Sequence, residues 1–457
     1  MSTTTLPGSP PIRRTRLSDE ALAARAAYIL RGNDLGSMTT AAPRLYPHMW
    51  SWDAAFIAVG IARLNAERAI TELETLLNAQ WSTGMIPHIV FSDQEASYFP
   101  GPQRWGCGTL AAAAPQSPAT SGICQPPVHA IAVKRILETT QRRGRTERRA
   151  ANEFLERAWS PLMRWHRWLA EMRDPDRTGR VTVHHGWESG MDNSPRWDGP
   201  YSRVKVSEEL PPYRRVDTTV VGDCSTRPSN REYDRYLWLI EEMRRVGYDD
   251  TQIRLTSSFA VEDVLMSAIL ALACDALADL GETVPHRSQD VRDLRAWAAH
   301  FRAGVAESVD PQTGLARDRD VRADEWLSSP TIAGFAPLLC GGLDRTAELR
   351  LTELLDSPQW CGHPDLVAAV PPSTAVGSPQ FRQREYWRGP QWPVMAWLFS
   401  WSFAERGWPE RAAFLREEGL KLIGDGTFAE YYDPLTGEPL GSANQSWTAA
   451  AALDWLC

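Results

Sequence analysis

The sequence predicts an all-α fold in which helices pair and the pairs close into a toroid. Three observations carry this. Apolar residues recur at intervals of three and four over most of the chain. No strand–helix alternation of the βαβ kind occurs, and the best strand signal is residues 181–184. One turn also recurs, as Asp174-Pro175-Asp176-Arg177-Thr178-Gly179, Asp310-Pro311-Gln312-Thr313-Gly314 and Asp433-Pro434-Leu435-Thr436-Gly437. In each, Asp caps, Pro sets φ and Gly supplies a positive-φ residue. The first has the look of a calcium loop but lacks the later acidic ligands, so all three read as turns. Their repetition predicts similar helix-to-helix crossings around a ring. Helix pairs closing on themselves make an (α/α)6 barrel, with a funnel-shaped pocket at the centre of one end.

The elements follow in order. Ser18 caps a helix to about residue 30. Residues 52–64 are apolar at helical spacing, and 66–80 form their antiparallel partner after a break at Asn65. The same periodicity marks 128–139, 148–171, 231–245, 261–280, 291–308, 346–355, 392–405, 409–422 and 445–455. Residues 194–231 are rich in Pro, Arg and Asp and lack periodicity. So long a connection inside a compact domain reads as a functional lid. The expected organisation is a flexible tail (1–16) and one catalytic domain (17–457) carrying that lid.

Composition narrows the function. The 457 residues are 43% hydrophobic and 23% charged, in the soluble globular range. A formal charge of −8 argues against a nucleic-acid footprint, which needs a basic face. Only Lys134, Lys205 and Lys421 are lysines, so nearly all positive charge is arginine. The first 16 residues hold no apolar core of a signal peptide. No stretch is expected to reach the roughly eighteen apolar residues that span a bilayer. Seven cysteines, an odd number without a CxxC pair, point to neither a disulfide framework nor a zinc ribbon, and the expected location is a reducing cytoplasm. Tryptophan is the oddity: 20, against 12 Phe and 11 Tyr. Its flat apolar face stacks on sugar rings and its N–H reaches hydroxyls.

Four clusters carry candidate chemistry. Tyr46-Pro47-His48-Met49-Trp50-Ser51-Trp52-Asp53 puts two tryptophans and an aspartate where a loop enters a helix. The loop Gly186-Trp187-Glu188-Ser189-Gly190-Met191-Asp192-Asn193-Ser194-Pro195-Arg196-Trp197 packs carboxylates, an amide, an arginine and tryptophans together, with glycines that allow a strained backbone beside a ligand. Cleaving a glycosidic bond needs a protonated carboxyl, and an apolar, aromatic setting keeps one protonated. Asp192, flanked by Met191 and near Trp197, fits. In Arg384-Glu385-Tyr386-Trp387-Arg388-Gly389-Pro390-Gln391-Trp392, Arg388 can grip a carboxylate of the substrate or of a catalytic partner through two parallel bonds. In Gly426-Thr427-Phe428-Ala429-Glu430-Tyr431-Tyr432-Asp433, Glu430 sits amid aromatics and can activate water. P-loop, dinucleotide and GxSxG signatures are absent, and His184-His185 lacks further ligands at motif spacing.

Together these blocks resemble glycoside hydrolase family 63, in the clan of glucosidase I and trehalase, and within it the small branch of glucosylglycerate and mannosylglycerate hydrolases. The resemblance runs from Tyr46 to Trp447. Its most specific segment, residues 188–197, is close to the general-acid signature of that clan. It implies the (α/α)6 barrel, inversion at the anomeric carbon, Asp192 as general acid and Glu430 as general base. Inversion sets the two carboxyls about 6.5–9.5 Å apart, leaving room for water. It implies a sugar wall of Tyr46, Trp50, Trp52 and Asp53, with Gln125, Trp187 and Gly190 beside it. Tyr386, Trp387 and Trp392 form the opposite wall. Tyr98 closes over the sugar, Gln445 and Trp447 make closing contacts, and Arg227 in the lid holds the carboxylate of the acid. No metal or cofactor is called for. Glucosylglycerate is the expected substrate, with mannosylglycerate or another small α-glucoside as rivals and a non-catalytic sugar-binding toroid as the alternative from another class. The expected partners are a small glycoside and further copies of the chain, with no nucleic acid and no membrane.

Overall fold

The computed structural model describes residues 16–92, 98–221, 223–282, 284 and 286–457. Of the expected tail only Arg16 is among them. The main helices are α1 (Asp19–Gly32), α2 (Ser51–Leu64), α3 (Ala66–Asn78), α4 (His129–Gln141), α5 (Arg145–Met172), α6 (Asn230–Arg245), α7 (Val264–Glu282), α8 (Ser288–Glu307), α9 (Ala336–Cys340), α10 (Arg345–Leu355), α11 (Pro393–Glu405), α12 (Pro409–Leu422) and α13 (Ser446–Leu456). Their starts follow local chemistry. Ser18 accepts a hydrogen bond from the Ala21 N–H, Asn65 from Arg68 and Asp344 from Ala347. Ser229 and Glu232 form a reciprocal capping box on α6, and prolines open α9, α11 and α12.

The contacts close a ring. Helix α2 packs on α4, α4 on α7, α7 on α9, α9 on α11, α11 on α13, and α13 back on α2. Outside them lie α1 against α13, α3 against α2, α5 against α4, α8 against α7, α10 against α9 and α12 against α11. Six inner and six outer helices among the described residues make the (α/α)6 barrel. The inner helices other than α4, which carries Lys134, Arg135 and Glu138, are apolar nearly all round. In α2 the twelve residues from Ser51 to Ala62 are all buried, leaving only Arg63 and Leu64 at its end outside the core, and α7 is nineteen residues of mean hydropathy 1.8 with 83% of its apolar window buried. By length and composition α7 could cross a membrane, contrary to the sequence expectation. Here it is part of the inner wall of the barrel, with most of its surface covered by protein.

The three Asp-to-Gly turns fall where an outer helix hands the chain to the next inner one: after α5, after α8, and after α12. Asp174 accepts the Thr178 and Gly179 N–H groups at 2.7 and 3.0 Å, Asp310 that of Gln312 at 3.0 Å, and Asp433 those of Leu435 and Thr436 at 2.9 and 3.1 Å.

Three departures from the periodic reading matter for the site. Helix α6 stands outside the ring, covering one end. The inner position before α10 is filled by the short α9, which is too brief to show a period. And there is a four-stranded antiparallel sheet, in the order β3 (Val181–Val183), β4 (Val261–Asp263), β5 (Asp318–Asp320), β6 (Glu325–Leu327). Residues 261–263, expected as the first turn of a helix, are its second strand. Two small ribbons complete the set among the described residues: β1 (Met49–Trp50) on β2 (Ile89–Val90), and β7 (Tyr431–Tyr432) on β8 (Pro439–Leu440).

Candidate active site

A cavity of about 1010 Å³, counting its open mouth, sits over the N-terminal ends of the inner helices. Trp50 and the first turn of α2, with Trp52 and Asp53, form one side; Gln125 precedes α4, Tyr386 precedes α11, and Gln445 and Trp447 begin α13. The loop after β3 contributes Trp187, Gly190 and Asp192, and the stretch before β7 contributes Glu430. Of the expected site residues, Tyr46, Tyr98 and Arg227 line the same space. Trp387 and Trp392 do not. They stack face to face at 3.6 Å and 2°, each 1% exposed, one layer behind Tyr386. They support the wall and do not form its surface.

The two carboxylates of the 186–197 loop are set apart by their surroundings. Glu188 is fully buried in a two-pronged ion pair with Arg173, at 2.8 and 3.0 Å, and accepts the His184 N–H at 2.7 Å. Burial alone would raise its pKa; Arg173 and these donors hold it down at about 2. Glu188 stays charged and does not line the cavity. Among the described residues Asp192 forms no ion pair. Burial pushes it up to about 7, Arg227 pulls it partly back, and the Glu430 charge pushes it up again. It is a carboxyl able to hold a proton at neutral pH and give it up.

The loop that presents Asp192 is fixed at both ends. Gly190 has φ +71°, and a Cβ there would come within 2.6 Å of the Trp52 ring, so only glycine lets the loop meet the wall. Arg196, 2% exposed, bonds Asp263 on β4 and Asp318 on β5, both at 3.0 Å. The Asn193 side chain accepts from the Trp387 N–H at 3.0 Å and donates to Glu385 at 3.2 Å. Arg388, expected to grip a substrate or catalytic carboxylate, instead holds Asp198 through two bonds of 2.7 and 2.8 Å, clear of the cavity.

Glu430 is held differently. Its Oε1 accepts the Tyr46 hydroxyl at 2.9 Å and its Oε2 the Ser442 N–H at 3.0 Å. Burial raises its pKa above the ordinary carboxylate value, and Arg227, Ser442, Tyr46 and Tyr386 pull it only partly back. Asp53 is lifted well above the carboxylate range, first by burial and then by the charges of Glu430 and Asp192. As a neutral acid it can both donate to and accept from hydroxyls. Arg227 donates to the Tyr46 hydroxyl at 3.1 Å, lies 4.4 Å over the Tyr386 ring and pairs with Asp217 at 3.4 Å.

Arg44, His88, Asp217, Tyr233 and Tyr236 also line the cavity and escaped the sequence reading. Tyr233 and Tyr236 stand on α6, whose amphipathic pattern looks like ordinary packing. His88 lies in an apolar run, and burial holds it neutral, with a pKa near 3. Arg44, in a turn, and Asp217, opening a helix of four residues, gave no signal, being charged residues in stretches without periodicity.

One protonatable carboxyl, one hydrogen-bonded carboxylate and an aromatic wall in an enclosed space suit acid–base cleavage of a glycoside. Comparison with known proteins agrees. Residues 46–448 match the mannosylglycerate hydrolase MGH1-like glycoside hydrolase domain. The chain is 62% identical to a glucosylglycerate hydrolase of Mycolicibacterium hassiacum, over 95% of this chain and 97% of that one. It is 40% identical to a mannosylglycerate hydrolase of Thermus thermophilus, over 94% and 99%. The crystal structure of a GH63 mannosylglycerate hydrolase from Thermus thermophilus, in complex with Tris, superposes with a TM-score of 0.85 at 39% identity, covering 95% of this chain and 99% of that one. A neutral trehalase from Saccharomyces cerevisiae, at 14% identity and a TM-score of 0.53, over 92% of this chain and 73% of that one, shares the fold. By the span of the family match and the depth of these identities, the chain belongs to the MGH1-like glycoside hydrolases of family GH63.

Proposed function

We propose that this enzyme hydrolyses the α-glycosidic bond of glucosylglycerate with inversion, releasing glucose and glycerate. Asp192 protonates the glycosidic oxygen. Glu430 takes a proton from the water that attacks the anomeric carbon from the opposite face. The observation that carries the reading is the contrast between these two carboxyls in one cavity. Asp192 is raised to about 7 without an ion-pair partner, whereas Glu430 is tethered by a hydroxyl and a backbone N–H that favour its charged form. Trp50 and Trp52 supply apolar faces for the sugar, and Asp53 and Gln125 meet its hydroxyls. Arg227, the buried guanidinium on the cavity wall, holds the carboxylate of the glycerate. The 62% identity to a glucosylglycerate hydrolase favours glucose over mannose.

Residues 194–231 serve as the lid. Val216, Asp217, Val220 and Arg227 of this segment line the cavity, and Tyr213 fastens it by stacking on Phe99 at 5.7 Å and 5°. Closure over the sugar excludes bulk water. The same reading places the enzyme in the cytoplasm as a homo-oligomer. Its seven cysteines are all free thiols, and Leu255 and Trp326 leave apolar surface exposed.

The test is product release from glucosylglycerate, mannosylglycerate, trehalose and nigerose by wild type and Asp192→Asn. Glucose and glycerate from the first substrate alone, appearing first as β-glucose by proton NMR and lost in the variant by orders of magnitude, support the reading. Preference for mannosylglycerate overturns the sugar assignment; an active Asp192→Asn overturns the acid.

A further inference from the structure

A chain of contacts runs from the segment over the cavity to the carboxylate beneath it. Arg227 Nη1 donates to the Tyr46 hydroxyl at 3.1 Å, and that hydroxyl donates to Glu430 Oε1 at 2.9 Å. The Tyr386 hydroxyl lies 3.2 Å from that of Tyr46, and the Arg227 guanidinium covers the Tyr386 ring at 4.4 Å. Arg227 is thus engaged with the base's own partners. On its far side it is anchored by Asp217, which Arg215 holds with bonds of 3.0 and 2.6 Å.

We infer that Arg227 and Tyr46 form a positioning relay, through which the lid segment orients Glu430 and polarises its carboxylate. The inference rests on Glu430 being the base. Its geometry has a consequence for the lid: moving Arg227 away withdraws a charge and, through Tyr46, loosens a hydrogen bond. The base is then complete only when the segment is down, which couples closure over substrate to activation of water. Arg227 so acts on the enzyme itself, apart from any grip on a substrate carboxylate.

The groups facing Glu430 are Arg227 from the lid, Tyr46 from the loop before α2, Asp53 on α2, Asp192 from the loop after β3, Tyr386 from the loop before α11, and the Ser442 N–H after β8. Arg227 pulls down both Glu430 and Asp192, whereas Tyr46 acts on Glu430. This gives the relay a signature in the pH profile of kcat/KM, whose acid limb follows the base losing its proton and whose alkaline limb follows the acid losing its own. Without the Arg227 charge both carboxyls bind protons more tightly, so both limbs move to higher pH. Without the Tyr46 hydroxyl only the acid limb does.

The experiment measures kcat/KM for glucosylglycerate against pH in wild type, Arg227→Gln, Arg227→Lys, Tyr46→Phe and Glu430→Gln. The relay predicts that Arg227→Gln raises both limbs by about one pH unit or more, the usual effect of losing an opposite charge at close range. Tyr46→Phe, which keeps the ring and its packing, raises the acid limb alone, and Arg227→Lys restores the wild-type limbs even where its KM stays high. Unmoved limbs in Tyr46→Phe and Arg227→Gln, with Glu430→Gln inactive, overturn the relay and leave the base assignment standing. An active Glu430→Gln overturns the base assignment, and the relay with it.

Discussion

Glu188 and Asp192 share one loop yet face opposite fates, and the difference is a single cation. Arg173 reaches Glu188 from the C-terminal end of α5 and keeps it charged; Asp192 makes no ion pair among the described residues, feels only the partial pull of Arg227, and takes up a proton near neutrality. The loop's composition shows that carboxyls gather there, but Arg173 lies outside it, and only the fold brings it in. The resemblance to the family singled out Asp192, and the ion pair gives the physical reason. The raised Asp192 carries a stability consequence. A carboxyl that titrates near 7 when folded and near 4 when unfolded binds more protons in the native state. Its stabilising effect is full below about pH 4 and is lost as pH rises through about 7. Asp192→Asn should therefore raise the Tm by a few degrees at pH 8, with the gain vanishing towards pH 4, as read by differential scanning calorimetry. Equal Tm values at pH 8 would show that the site does not desolvate this carboxyl.

At the scale of elements, the long helices were legible because an apolar stripe repeats over many residues, and all twelve expected ones exist within a few residues of their expected ends. The sheet was not. Its strands are three residues long, too short for a period of two to register, and β4 runs directly into the apolar start of α7. The strand Asp318-Arg319-Asp320 holds charged residues only and so shows no apolar alternation; it is part of the floor on which Arg196 rests. That floor yields a test. Asp263 also accepts the Leu265 and Met266 N–H groups at the head of α7, at 2.9 and 3.1 Å, so the cation binds loop, sheet and inner helix together. Arg196→Ala leaves two buried carboxylates without their partner and should cost about 3–5 kcal/mol at neutral pH by denaturant titration. Asp318, raised to about 6 by burial even with Arg196 beside it, is protonated as pH falls below that value, so the loss should shrink there. A loss that does not vary with pH would mean that packing, and not charge, is what Arg196 supplies.

The whole molecule is a ring, and the recurring turn foretold its plan more directly than any helix did. Its seam lies between α2 and α13. A Cβ on Gly60 would come within 2.3 Å of the Ala450 backbone, so the two helices touch where only glycine fits. Arg63 and Arg135 then clasp Asp454 below the contact, with bonds of 2.8 Å each. Gly60→Ala should wedge this seam and destabilise the barrel by about 1–3 kcal/mol, as overpacking does; an unchanged denaturation midpoint would mean that α2 and α13 can part without loss. The seam bears as well on how the protein forms. Arg63 and Asp454 are 391 positions apart, and every other inner contact of the ring joins helices nearer in the chain. Most of the barrel can therefore assemble by adding neighbour to neighbour, like a curved stack, until one last meeting converts an open arc into a closed circle. The entropy of bringing distant segments together falls on that event. The catalytic cavity, which takes walls from both sides of the seam, comes into being with it, so activity during refolding will appear late, after most of the helical signal has returned.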